Sequence, residues 1–151
     1  MRVVIQRALE ASVHSEGRLL SQIEAGLVIL LGIEEADSPD DIDWLVGKIT
    51  RMRIFSDSEG KMNQALVEQD HPAAMVISQF TLHAATRKGN RPSFIRAARP
   101  EHAEPLYQKF CDDLESVLGQ KVARGRFGAD MQLSLVNDGP VTILIDSRNR
   151  E

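Results

Sequence analysis

Cysteine, aromatic residues and long apolar runs are scarce in this chain, and each scarcity excludes something. The single cysteine, Cys111, rules out an internal disulfide, which suits a reducing compartment. Aromatic residues are only 5% of the chain, which is few for a module that binds nucleic acid by stacking bases. No apolar run approaches the ~20 residues that cross a bilayer, and the first residues lack the hydrophobic region of a signal peptide. The sequence therefore predicts a cytoplasmic protein.

Basic charge is also limited, because 18 lysine and arginine residues face 22 acidic ones and leave a net charge of −4. This balance argues against a protein that overall charge alone holds on nucleic acid. Residues 86–99 depart from it, with five basic residues and no acidic one. This basic segment is either a solvated loop or a place where a phosphate backbone docks.

Motifs for metals, nucleotides and dinucleotides are missing. The four histidines and the one cysteine do not have the spacing of metal ligands. The chain also lacks a P-loop, a dinucleotide-binding glycine motif and the nucleophile elbow of serine hydrolases. The sequence therefore predicts neither a metal nor a cofactor.

Hydrophobic periodicity predicts a mixed fold. One amphipathic helix begins near Ser38 and Pro39, and a second spans residues 100–118 and ends at Gly119. The predicted strands cover residues 2–13, 17–23, 27–33, 73–82, 121–127, 131–136 and 141–145. No linker or repeat divides the chain, so residues 1–151 form one domain. The fold class is α/β in the mixed sense, a largely antiparallel sheet or open β-barrel with two helices packed on it.

Two short stretches attract attention as candidate sites. The buried strand 73–82 ends in the polar run SQFT, and polar residues at a strand end either face a site or mark fraying into a loop. Thr81 could act as a nucleophile with His83, but no third group is visible to orient the histidine. The second stretch is NDGPVT, where Asp138 and Gly139 resemble a hairpin turn. Pro140 complicates that turn, since it offers no N–H and its peptide bond can be cis for only ~0.5–1 kcal/mol.

These two stretches, SQFT at residues 78–81 and NDGPVT at residues 137–142, match the paired patterns SQxT and NxGPxT. On them the chain resembles the D-aminoacyl-tRNA deacylase family, also called D-tyrosyl-tRNA deacylases. The segments MRVVIQRALEASV, KGNRPSF and FGADM resemble it too, so the likeness covers essentially the full length. It implies a homodimer that hydrolyses the ester joining a D-amino acid to the terminal adenosine of tRNA. It also implies removal of glycine mischarged on tRNA-Ala.

The resemblance assigns roles to particular residues. The catalytic strand end is Ser78, Gln79, Phe80 and Thr81. The substrate-binding residues are Arg7, Phe127, Met131, Asn137, Gly139, Pro140 and Thr142. Gly139 and Pro140 would form a cis pair, held in place by Arg7, that reaches into the other subunit's site and rejects L-amino acids. Phe127 and Met131 would line a pocket for the terminal adenine. The residues expected to meet tRNA phosphates are Arg87, Lys88 and Arg91.

The cleavage step has two interpretations. Either Thr81 attacks and forms an acyl-enzyme, or the N–H groups of Phe80 and Thr81 form an oxyanion hole while the substrate's 2′-hydroxyl assists water. We favour the second, because no base is visible to activate Thr81. The alternatives for the whole chain are a non-catalytic RNA-binding module, a related deacylase with a trans Gly-Pro bond and relaxed chirality, and a structural dimerisation domain.

Overall fold

The computed structural model describes residues 1–150. Its helices and strands follow one another in this order: β1 Arg2–Ser15, β2 Arg18–Ile23, β3 Gly26–Gly32, α1 Pro39–Arg51, β4 Arg53–Ser56, β5 Met62–Ala65, β6 Ala73–Ser78, α2 Pro100–Leu118, β7 Ala123–Arg124 and β8 Gln132–Asp146. Two short 3₁₀ turns, Leu66–Glu68 and Phe80–His83, flank β6. No helix within the described residues is both long enough and apolar enough to cross a membrane.

The sheet is arranged around β1. One edge of this strand pairs first with β3 and then with β2, and the other edge pairs with β8, all in antiparallel fashion. Beyond β3 come β6 and β7, and both of these pairings are parallel. The Ser21 hydroxyl of β2 donates to the Arg124 carbonyl of β7 at 2.8 Å, which brings the two ends of the sheet together. The result is a nearly closed barrel.

The mixed α/β class and the two helices are therefore confirmed, and the open barrel is nearly shut. The sheet is less uniformly antiparallel than expected around β6, because both neighbours of that strand run parallel to it. The helices begin and end where the capping residues in the sequence predicted. α1 starts at Pro39, where the Asp41 carboxylate accepts the Ser38 N–H at 2.9 Å, and α2 ends at Gly119 with φ +68°.

The core lies between the barrel and the two helices. Tyr107 and Phe110 of α2 are fully buried, and the Tyr107 hydroxyl donates to the Val76 carbonyl at 2.9 Å. Cys111 beside them is also fully buried, and burial raises the pKa of its thiol to about 12. Cys111 thus packs as a small apolar side chain, which agrees with its position beside the apolar stripe of the helix.

The hairpin expected at NDGPVT is wrong. The strands expected at 131–136 and 141–145 are one strand, β8, and both halves pair with β1 instead of with each other. Gln6 pairs with Thr142 and Ala8 pairs with Asn137, so residues 138–141 stand opposite Arg7 alone and bulge out of the ladder. The Gly139–Pro140 bond in this bulge is cis.

Two other predicted strands are too long. β6 ends at Ser78, opposite Leu31, because β3 ends one residue later at Gly32 and offers no further partner. The chain therefore turns at Gln79 and continues as a 3₁₀ turn. The strand expected over residues 121–127 is reduced to β7, since only Ala123 and Arg124 find partners in β6.

Candidate active site

A pocket of about 620 Å³ opens beside the end of β6. One wall is the strand end predicted as catalytic, Ser78, Gln79 and Phe80, and another contains the predicted adenine-pocket residues Phe127 and Met131. The structure thus brings together two groups that lie about fifty positions apart in the sequence. The other lining residues come from β3 and the residue after it, from β6, from the end of the basic segment and the start of α2, and from β8 and the segment before it: Leu31, Ile33, Ile77, Phe94, Ala97, Ala98, Arg99, Pro100, Ala103, Gly128, Ala129, Asp130 and Leu133.

Two aromatic rings form the rim on the β6 side. Phe80 is 57% exposed, and its ring meets Phe94 edge to face with centroids 5.2 Å apart. Sequence reasoning missed Phe94 as a site residue. The available signal was an aromatic residue inside the basic segment of a chain that has few aromatic residues.

The opposite wall is held rigidly. The centroid of the Phe127 ring lies 5.8 Å from the centroid of the buried Tyr107 ring. The Met131 sulfur accepts the Arg126 N–H at 3.3 Å and sits so close to Gly125 that a Cβ there would come within 2.6 Å of it. An aromatic ring and a thioether, each held by its neighbours, therefore line the same pocket and offer surfaces against which a flat base can pack.

Between these walls, the chain after β6 makes a tight turn. The Gln79 N–H donates to the Leu31 carbonyl at 2.8 Å, and the Ala84 N–H donates to the Thr81 carbonyl at 3.0 Å. The N–H groups of Phe80 and Thr81 begin the 3₁₀ turn, and no group within residues 1–150 accepts them. Two neighbouring backbone donors thus remain available at the pocket edge, which is what an oxyanion requires.

Thr81 does not line the pocket, and its hydroxyl contacts an amide instead of a base. The Gln79 side-chain amide donates to the Thr81 hydroxyl at 2.5 Å. Among the described residues no carboxylate, imidazole or amine hydrogen-bonds to that hydroxyl. The surroundings of Thr81 contain no activating partner of the kind that nucleophilic catalysis needs.

His83 is the last residue of the 3₁₀ turn, and its side chain is buried. It is only 1% exposed, and neither ring nitrogen has a hydrogen-bond partner in the described chain. Burial lowers the pKa of His83 and outweighs the opposing influences of the Gly32 backbone and of Glu34, whose carboxylate oxygen is 4.0 Å from Nδ1. The imidazole is therefore neutral at pH 7 and makes no hydrogen bond to Thr81, so the two residues form no nucleophile–base pair.

The 138–141 bulge lies apart from the pocket of its own chain, and none of its residues lines that pocket. Arg7, which is 7% exposed, holds the bulge through its Nε, 2.7 Å from the Asp138 carboxylate and 3.3 Å from the Asp138 carbonyl. Another nitrogen of the Arg7 guanidinium donates to the Ile54 carbonyl. Gly139 and Pro140 are exposed at its tip.

Two further predicted substrate residues flank the bulge. The Gln6 amide donates to the Asn137 side chain at 3.1 Å, and Thr142 is exposed opposite Gln6. The chain alone therefore assembles a pocket and a separate, braced bulge, and their roles in catalysis and substrate binding stay predictions.

The predicted phosphate contacts are all on one exposed loop. Reciprocal hydrogen bonds between Ala85 and Ser93, at 2.8 and 3.0 Å, tie the two ends of this loop together. Arg87, Lys88 and Arg91 project from it and make no ion pair within residues 1–150. Their charges are therefore free for an anionic partner beside the pocket.

Residues 1–150 contain no group of three histidine, cysteine or acidic side chains that could hold a metal ion. The site combines an aromatic residue in the pocket wall with two backbone N–H groups that have no acceptor within residues 1–150, one of them on the pocket-lining residue Phe80. Such a site can bind a planar base and stabilise a developing oxyanion.

Known proteins resemble this chain over nearly its full length. A protein-family model described as D-Tyr-tRNA(Tyr) deacylase matches residues 4–146. Proteins named D-aminoacyl-tRNA deacylase from Bacteroides fragilis and Akkermansia muciniphila are 58% and 59% identical to the chain over 151 residues, which cover all of each protein.

Solved structures are similar as well. One titled "c-Myc DNA Unwinding Element Binding Protein" has a TM-score of 0.89 and 36% identity, and covers 97% of this chain and 98% of its own. Another is titled as a probable eukaryotic D-amino acid tRNA deacylase and has a TM-score of 0.80, covering 95% of this chain and 97% of its own. Because its sequence is only 17% identical, this likeness shows the fold alone.

Fold, site and relatives together define a barrel-type hydrolase. The chain belongs to the D-Tyr-tRNA(Tyr) deacylase family, which confirms the resemblance that the two motifs indicated.

Gly32 should prove essential for the turn. A Cβ at this position would lie 2.9 Å from the Leu82 Cβ and 3.0 Å from the Gln79 carbonyl oxygen. We expect Gly32→Ala to lower the free energy of unfolding by ~1–3 kcal/mol, as overpacking does, and to speed hydrogen exchange at Leu82 and Ala84. Urea unfolding and amide exchange measure both effects.

Gly47→Ala, in α1, is the matched control. The nearest atom to its added methyl would be an Arg51 nitrogen 3.6 Å away, so this variant should be as stable as the wild type or more so. A Gly32→Ala protein that unfolds at the wild-type urea concentration with unchanged exchange would show that the turn does not need the close approach.

Proposed function

We propose that the protein hydrolyses the ester bond of D-aminoacyl-tRNA, and of glycine mischarged on tRNA-Ala, releasing free amino acid and tRNA in the cytoplasm. The observation that carries this proposal is the pocket that joins the SQFT strand end to the wall of Phe127 and Met131. The wall suits the terminal adenine of tRNA, and the strand end suits the ester attached to the same nucleoside. Family membership supports both assignments.

Cleavage proceeds by attack of water. The free N–H groups of Phe80 and Thr81 stabilise the oxyanion that forms when water adds to the ester carbonyl. The ribose 2′-hydroxyl lies next to the ester in every substrate, so it assists the water at no cost in positioning. Thr81 supports this turn and does not attack, because its hydroxyl is hydrogen-bonded to an amide and meets no base.

Selection by chirality comes from the 138–141 bulge of a second subunit. Leu9, Val136 and Leu144 are 56%, 46% and 68% exposed on β1 and β8, the two strands that carry this bulge. Exposed apolar side chains near a projecting loop suit contact with a second copy of the chain. A two-fold interface would place each bulge at the partner's pocket, so both sites are completed at once.

A main-chain wall explains the breadth and the limits of such a filter. It needs only to occupy the space on one side of the substrate α-carbon, where an L side chain would project. Gly139 and Pro140 would place backbone atoms in that space. Arg7 would keep them from being displaced, because it bonds the neighbouring Asp138. The filter should therefore accept many D-amino acids and glycine and should discriminate poorly among them.

The basic loop positions the substrate. Arg87, Lys88 and Arg91 follow the catalytic turn closely in the sequence and carry unpaired charges. Contacts of this kind hold phosphates without reading sequence, so the loop would serve many tRNAs equally.

Deacylation of matched D- and L-tyrosyl-tRNA tests the function. The protein should hydrolyse the D-ester and leave the L-ester at its spontaneous rate. Asp138→Asn should raise hydrolysis of the L-ester several-fold relative to the D-ester, because the bulge loses its charge-assisted bond to Arg7. Asp113→Asn, which loses only an ion pair to Lys109 on α2, is the control and should keep wild-type selectivity.

Sedimentation should show that both variants keep the oligomeric state of the wild type. Binding of tRNA without hydrolysis of either ester would favour the non-catalytic RNA-binding module. Equal hydrolysis of both esters would favour the related deacylase with relaxed chirality.

The roles of Thr81 and of the substrate hydroxyl can be separated. Thr81→Val removes the hydroxyl but keeps the branched shape, and we expect it to retain most of the deacylation rate. A D-aminoacyl-tRNA that ends in 2′-deoxyadenosine should be cleaved far more slowly by wild-type protein. An inactive Thr81→Val protein that still binds tRNA, together with rapid cleavage of the deoxy substrate, would establish Thr81 as the nucleophile.

Salt dependence tests the basic loop. Replacing Arg87, Lys88 and Arg91 together by glutamine should raise KM and leave kcat unchanged, with a salt slope smaller by roughly 0.7–0.9 for each phosphate that the loop no longer neutralises. Lys61→Gln, at an exposed lysine already paired with Glu59, is the control. An unchanged KM across salt concentrations would remove the loop from the binding site.

A further inference from the structure

Arg2 connects the 3₁₀ turn Phe80–His83 to the C-terminal strand β8. In the sheet it lies between Gly32 of β3 and Asp146 of β8. Its Nε donates to the Asp146 carboxylate at 2.8 Å, and its Nη1 donates to the Leu82 carbonyl at 3.1 Å. One guanidinium group therefore contacts both β8 and the 3₁₀ turn Phe80–His83.

Asp146 is itself fixed in place. Its second carboxylate oxygen accepts the Arg148 N–H at 3.0 Å. Burial alone would raise the pKa of Asp146, but the hydrogen bonds from Arg2 and Arg148 outweigh that effect and keep its pKa below the usual value. The carboxylate is thus ionised at neutral pH and orients the guanidinium.

The turn has few other anchors. The ring nitrogens of His83 have no hydrogen-bond partner in the described chain, and the side-chain bond between Gln79 and Thr81 is local. Among residues 1–150, Arg2 is the only side chain that hydrogen-bonds to a backbone atom of residues 79–83. The absence of a side chain at Gly32 allows the turn to approach β3 closely, and Arg2 bonds the Leu82 carbonyl of that turn.

We propose that Arg2, oriented by Asp146, is a positioning residue for deacylation, because it holds the turn that carries the Phe80 and Thr81 N–H groups. This inference rests on the proposed function. Arg2 does not line the pocket, so it acts through the turn and not on the substrate. Displacing oxyanion donors by a fraction of an ångström weakens stabilisation of the transition state more than binding of the ground state.

The guanidinium shape is what this interaction requires. A forked group can donate to the carboxylate and to the carbonyl at the same time, whereas a lysine ammonium at the same place is a single point of donation on a flexible stem. Arg2→Lys therefore keeps the charge and removes the simultaneous donation to both acceptors. Asp146→Asn keeps the shape of the partner and removes the charge that orients the arginine.

The experiment measures kcat and KM separately for both variants on D-tyrosyl-tRNA. We expect kcat to fall roughly tenfold or more with little change in KM, since misplacement by about 1 Å can cost ~10²-fold. Thermal unfolding should show that both proteins remain folded at the assay temperature. Asp113→Asn, an isosteric change in a carboxylate paired with Lys109, is the matched control and should match the wild type in both constants.

The possible failures are distinct. If the wild type hydrolyses D-tyrosyl-tRNA but folded Arg2→Lys and Asp146→Asn proteins keep its kcat, or change only KM, the positioning role is wrong and the proposed function stands. If the wild type does not hydrolyse the ester, the proposed function and the positioning role are both wrong. If Arg2→Lys does not fold, the milder Asp146→Asn decides, because its backbone pairing with Arg2 is retained.

Discussion

The pairing of β1 along both of its edges is the constraint on which the rest of the structure depends. Its first half is held by β3, its second half by β2, and nearly its whole length by β8. The two segments that matter for the proposed function are both attached to this strand. Arg2 reaches the 3₁₀ turn Phe80–His83, and Arg7 reaches the 138–141 bulge. Their spacing along one strand that is paired on both edges fixes the turn and the bulge relative to each other within the barrel.

This arrangement divides the proposed site into two rigid parts. The pocket has an aromatic wall, lies at the end of the strand that leads to the free backbone donors, and contains no residue of the bulge. The Gly139–Pro140 part of the bulge is exposed and is held by the buried Arg7. A filter that works by collision must not move when a wrong substrate presses on it. The ion pair of Arg7 with Asp138 and its bond to Ile54 serve that requirement better than packing alone, because they restrain the main chain directly.

Sequence reasoning succeeded where the signal is local. Helix starts and ends follow from Ser38, Pro39 and Gly119, and the order of strands and helices is enough for the fold class. It failed where the structure of a segment depends on which strand it pairs with. Nothing in residues 132–146 alone reveals that both halves pair with β1, so a Gly-Pro step looks like a hairpin. The early end of β6 depends on where β3 ends, and the contact of Arg2 with Leu82 joins residues 80 positions apart. Phe94 was missed for the same reason, because only the fold brings it to the pocket.

The groups proposed to act on the substrate are mostly main-chain atoms. Two N–H groups would hold the oxyanion, and the backbone at Gly139 and Pro140 would exclude the L-enantiomer. A site of this kind gives its side chains a different task, which is to fix the backbone. Gly32 does this by having no side chain where the turn approaches, Arg2 by bonding a carbonyl, and Arg7 by pairing beside the bulge. It follows that the residues most sensitive to substitution should be those that set backbone position, whereas the Thr81 hydroxyl, the most obvious reactive group in the motif, should matter less.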